Sequence, residues 1–166
     1  IDITEGSHDV TVSWSILAGP AGTEKNLLIK YNPSRVTVHH NIFTKARQRN
    51  PQVRIDDAGT PATDTTVDMR NNLVWDWGAG YGTLVWYGPQ ANVVNNYYSS
   101  SDNAIKVELA RAYVQGNLSA DHREINGVGN ETSPFPASSV DTQDACTAAR
   151  LVLEKAGVRP LDSVDQ

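Results

Sequence analysis

The sequence predicts an all-β protein, a right-handed parallel β-helix (solenoid) that ends in one short α-helix, and three observations carry that prediction. Five apolar alternations recur along the chain: Val10-Thr11-Val12, Val36-Thr37-Val38, Val67-Asp68-Met69, Ala91-Asn92-Val93 and Ala112-Tyr113-Val114. Such alternation at period two is the mark of half-buried strands. Three residues beyond each second apolar position stand Ser15, Asn41, Asn72, Asn96 and Asn117, spaced by 26, 31, 24 and 21 residues. A period in the twenties built from strands and a recurring polar residue describes stacked coils, each of which buries its apolar face only against its neighbours. The third observation is a single run of helical spacing near the C-terminus.

The elements follow in chain order. Ile1-Asp2-Ile3-Thr4 reads as a strand at the very start, so the chain is expected to begin inside a larger fold, with residues 1–166 as one β-helix domain lacking its N-terminal coils. The five alternations are one strand of each coil, and the Asn residues behind them are expected to stack, because a carboxamide can donate and accept along a column of its own kind. Asp56 to Asp64 is a polar stretch with Gly and Pro, and Trp75-Asp76-Trp77-Gly78-Ala79-Gly80-Tyr81-Gly82 joins aromatics to glycines; both are expected to border a groove. Residues 119–139 read as irregular, broken by Gly127, Gly129, Pro134 and Pro136. A terminal helical element is expected over 141–157, with its apolar residues Ala145, Ala148, Ala149, Val152, Leu153 and Ala156 at helical spacing and Gly157 closing it. It is expected to pack on the outside or end of the stack and to cover apolar surface and open edges.

Charge is distributed unevenly. The chain carries 14 Lys and Arg against 19 Asp and Glu, a net charge of −5, yet Asn26 to Ile55 contains no acid at all. Six cations lie inside that stretch: Lys30, Arg35, Lys45, Arg47, Arg49 and Arg54. Local potential of this kind attracts an anionic ligand whatever the net charge. Read as extended chain, residues 44–49 would turn Lys45, Arg47 and Arg49 to one face. Nucleic acid is disfavoured as that anion, since the protein is acidic and its aromatics lie mostly outside the basic stretch. No apolar run reaches membrane-spanning length, and no membrane partner is expected. The single cysteine, Cys146, forbids an intrachain disulfide and is expected to be a small buried residue of the terminal helix. His39 and His40, adjacent on a strand, should face opposite sides and so should not share a metal ion.

The segment Val36-Thr37-Val38-His39-His40-Asn41-Ile42-Phe43, continued by Arg47-Gln48-Arg49-Asn50-Pro51-Gln52-Val53-Arg54, resembles the pectate lyases of polysaccharide lyase family 1. Asp68 to Gly78 and Val93 to Tyr98 resemble two later coils of that family, and Ala156 to Asp165 its C-terminal signature. The resemblance implies cleavage of α-1,4-linked polygalacturonate by β-elimination, usually with Ca2+, by a secreted, monomeric enzyme. It further implies Arg49 as the proton acceptor, with Lys25, Arg54 and Arg47 as substrate-binding cations and Asp2 as the one metal ligand within this chain.

The chemistry suits such residues. Removing the C5 proton beside a uronate carboxylate builds enolate-like negative charge, which fixed cations stabilise more in the transition state than in the ground state. A guanidinium ordinarily keeps its proton, so Arg49 stands either as a base made acidic by its cationic neighbours or as an electrostatic clamp beside hydroxide. Both versions give activity that climbs toward alkaline pH. Ca2+ takes six to eight oxygens, so Asp2 alone makes the site incomplete, and weak or absent calcium binding by this chain alone is expected. Two alternatives stay open: a noncatalytic polyuronate-binding module, and a calcium-independent pectin lyase.

Overall fold

The computed structural model describes residues 1–19, 21–22, 24–55, 65–78, 80–158 and 160. Each coil contributes three short strands. The first holds β1 (Asp2–Ile3), β2 (His8–Ser13) and β3 (Ile16–Ala18); the second β4 (Leu28–Ile29), β5 (Ser34–His39) and β6 (Ile42–Thr44). The third holds β7 (Gln52–Arg54), β8 (Thr66–Arg70) and β9 (Leu73–Trp75); the fourth β10 (Thr83–Trp86), β11 (Gln90–Val94) and β12 (Tyr97–Tyr98). β13 (Ile105–Glu108), β14 (Arg111–Gln115) and β15 (Leu118–Ser119) complete the stack. Like strands of successive coils pair in parallel, giving three five-stranded sheets in the orders β1-β4-β7-β10-β13, β2-β5-β8-β11-β14 and β3-β6-β9-β12-β15. The five alternations expected as strands all lie in the second sheet, in register from Val10–Val36 through Val93–Val114.

Two columns hold the coils together. Inside, Ile3, Ile29, Val53 and Val85 stack from the first sheet against Val38, Met69 and Val93 of the second and Phe43, Val74 and Tyr98 of the third, all buried. The second column is the Asn ladder. The Asn41, Asn72, Asn96 and Asn117 side chains are buried, and each Oδ1 accepts from the backbone N–H of the preceding rung, at 3.0 Å from Ser15, 3.1 Å from Asn41, 2.9 Å from Asn72 and 2.9 Å from Asn96. Each Nδ2 turns back to a strand carbonyl: Val12, Val38, Met69 and Val93 in turn. The corner between the second and third sheets would otherwise leave these backbone groups buried and unpaired, which the fold must avoid.

The helix α1 spans Ala145–Lys155, shorter than the expected 141–157; Asp144 caps it by accepting from the Thr147 N–H at 3.0 Å. Residues 141–143 are instead an extended strap, in which the Gln143 carbonyl accepts from Asn71 Nδ2 at 2.8 Å and Asn95 Nδ2 at 2.9 Å. Ala149, Val152 and Ala156 lie on Leu73, Ile16, Ile42 and Tyr97, so the helix covers the outer face of the third sheet. Two expectations fail here. Cys146 is exposed, because it falls on the solvent side of α1 next to buried Ala145. His39 and His40 do not face opposite sides: His40 has φ 54°, which breaks the strand's alternation and brings the two Nδ1 atoms within 2.9 Å. His40 then stacks on Trp14 and bonds Gln143 through Nε2. Both fill the corner under the strap.

Candidate active site on the first sheet

On β7 the inward residue is Val53, so Gln52 and Arg54 share the outward face. Register extends that face across the coils. Asp2, Leu28, Gln52, Leu84 and Lys106 form one outward row, and Arg54, Trp86 and Glu108 form the next. Lys30 directly follows Ile29, whose partner is Val53, so it stands one rung before Arg54. Rungs are separated by about 4.8 Å, close to the spacing at which neighbouring cations act on one bound carboxylate.

The corner that leads into this sheet supplies the other cations. Lys25 forms a parallel bridge with Gln48, the Asn26 N–H donates to the Gln48 carbonyl at 3.3 Å, and the Leu27 N–H donates to the Arg49 carbonyl at 2.8 Å. Lys25 and Arg49 therefore occupy adjacent rungs at the start of the sheet that carries Arg54. Asn26 and Asn50 lock the corner through a buried side-chain bond of 2.8 Å. The sequence suggested extended chain over 44–49, but the strand β6 ends at Thr44 and residues 45–49 do not continue it. Lys45 and Arg49 adopt left-handed backbone, at φ 54° and 63°, because the chain must turn there from the third sheet to the first, and this breaks the alternation that would have set the three cations on one face. Arg47 pairs with Glu24 at 3.2 Å in an exposed ion pair, which leaves less of its charge for a ligand. The Arg49 Nε is buried and has no hydrogen-bond partner among the described residues.

Aromatic side chains complete the flank. The Arg54 guanidinium lies over the Trp86 ring at 4.3 Å and near Tyr87 at 5.9 Å. Trp86 and Tyr87 thus orient a cation. Trp77 is buried against Tyr98, while Trp75 is exposed at the end of β9, the central strand of the third sheet. Tyr81 has a place the sequence did not assign. Its hydroxyl donates to Gln52 Oε1 at 2.6 Å, and its backbone N–H donates to the Arg47 carbonyl at 3.2 Å. Burial raises the phenol's pKa, opposed by the nearby charges of Arg49 and Arg54. Gly80 is required for this approach, since a Cβ there would collide with the Arg47 carbonyl. The one available signal was the aromatic-glycine composition of 75–82, which marks a loop but not its contacts.

Asp2 is exposed at the head of the outward row, with Leu28 as its neighbour in the next coil. Among the described residues no three His, Cys, Asp or Glu stand together as a group that could hold a metal ion. Asp56 and Asp57, which follow Arg54 closely, lie outside the described residues, as does most of the C-terminal segment from Arg159. Among the described residues no helix is long and apolar enough to cross a membrane.

No family model and no curated protein matches the sequence. Among solved structures, the chain is similar to the thermostable pectate lyase PL 47, with a TM-score of 0.69 and 20% identity over 97% of this chain and 44% of that one. A pectate lyase from a Bacillus species, solved in complex with trigalacturonate, aligns with a TM-score of 0.45 and 12% identity over 91% of this chain and 68% of that one. The first likeness shows the fold alone, a parallel β-helix shared with that lyase, and this chain spans less than half of that protein's length.

Proposed function

We propose that the outward face of the first sheet is the uronate-binding and catalytic flank of a pectate lyase, which cleaves polygalacturonate by β-elimination. The observation that supports this reading is the placement of Lys25, Arg49 and Arg54 on neighbouring rungs of one sheet and its entry corner. In this reading Arg54, backed by Trp86, holds the carboxylate of the reacting sugar, and Lys25 neutralises charge from the preceding rung. Arg49 meets the C5 proton as base, or clamps the developing enolate while hydroxide removes the proton. Its unpartnered Nε–H is a donor held ready for an incoming acceptor. Arg47, committed to Glu24, contributes less. A polymer substrate too large to enter a cell places the protein outside it.

The test is the ultraviolet absorbance of the unsaturated uronide formed from polygalacturonate, which should rise with pH. Arg49→Ala should lower the rate by about a hundredfold or more, the scale for loss of one transition-state contact. Retained polygalacturonate binding with no absorbance from the unsubstituted chain would identify a binding module instead. Cleavage confined to methyl-esterified polymer would identify a pectin lyase.

A further inference from the structure

β-Elimination needs two proton movements, and the cations account for only one. As the C5 proton leaves, the C4–O4 bond breaks with its electron pair, and the departing sugar oxygen requires a proton to avoid leaving as an alkoxide. The hydroxyl of Tyr81 lies on the outward face between the residues that the proposed reaction uses: it is bonded to Gln52, two residues before Arg54 and three after Arg49, and it feels the charge of both arginines. In a hexuronate the carboxyl group and the 4-oxygen are vicinal substituents. A carboxylate held by Arg54 therefore brings the leaving oxygen to the same patch.

We propose that Tyr81 is the proton donor to the leaving 4-oxygen, an inference that rests on the elimination reading above. The balance is complete. The base takes the C5 proton, the freed pair forms the C4=C5 bond, the C4–O4 pair takes the Tyr81 proton, and the phenolate recovers a proton from water. Arg49 and Arg54 stabilise that transient phenolate, while the half-buried ring keeps the phenol protonated in the alkaline range where the base is most effective. Gln52 holds the hydroxyl in place before the substrate arrives. Tyr87 is the other phenol near Arg54, but its ring packs on Trp86 at 4.5 Å.

The test compares two substrates in the wild-type chain and in Tyr81→Phe, with circular dichroism to verify the fold. On polygalacturonate, kcat/KM should fall about a hundredfold or more, the usual scale of general-acid assistance. On a galacturonate whose 4-oxygen carries a nitrophenyl group, a leaving group that needs no proton, the same variant should retain its rate within about tenfold of wild type. If the Phe variant fails to fold, a fluorotyrosine placed at position 81 should change the polygalacturonate rate alone. Unchanged cleavage of polygalacturonate, or an equal loss on both substrates, would overturn the assignment while leaving the lyase reading intact. A wild-type chain that eliminates neither substrate would overturn both.

Discussion

Asn72→Ala is the sharpest probe of how the coils are held together. The Asn72 Oδ1 accepts from the Asn41 N–H and Asn41 Nδ2, both at 3.1 Å, and its Nδ2 donates to the Val38 carbonyl at 2.9 Å and Asn96 Oδ1 at 3.0 Å. Alanine removes all four bonds and strands the Asn41 N–H at a buried corner. At about 1 kcal/mol for each bond and a further 1–2 kcal/mol for the orphaned donor, the loss comes to roughly 5–6 kcal/mol. A domain of this size is stable by about 5–15 kcal/mol, so the variant should lose about a third or more of its stability. Urea unfolding followed by circular dichroism gives the difference directly. A loss below about 1 kcal/mol would mean that the ladder accompanies the fold without stabilising it, and the reasoning from its hydrogen bonds would be refuted.

Other perturbations follow from the same geometry. Trp86→Leu removes the ring beneath Arg54, a contact of about 0.5–2 kcal/mol, so affinity for oligogalacturonate should fall about twofold to thirtyfold in calorimetry. The His39 pKa is lowered by burial first, then by His40 and Arg70 against the pull of Asp68. A histidine held neutral in the folded state binds fewer protons than in the unfolded one, so stability should fall as pH drops below its ordinary 6.5, and His39→Gln should flatten that fall in thermal melts across pH.

The architecture was legible in the sequence because a solenoid repeats its rules. Each coil needs an apolar alternation to fill the interior and a carboxamide to satisfy the corner, and both recur at readable intervals in Val36 to Asn41 and Val67 to Asn72. The placement of Lys25 beside Arg49 was implied by the resemblance to the pectate lyases, and the structure puts the two on adjacent rungs. What could not be read was the course of the turns. Lys45, Arg49 and His40 all adopt left-handed backbone, which overrides the alternation assumed for 44–49 and for the His pair. Tyr81 reaches Gln52 across 29 residues, through a loop whose fit depends on Gly80 against the Arg47 carbonyl. Local composition cannot encode that contact. The exposed side of α1 was misjudged at Cys146 because residue type was weighed above its place on the helical face.

A crystal structure of the protein with bound oligogalacturonate should place the sugars on the outward face of the first sheet, with one carboxylate at Arg54, Lys25 and Arg49 beside the same ring, and the Tyr81 hydroxyl at its 4-oxygen. Sugars bound on the second or third sheet, away from these cations, would contradict the proposed function.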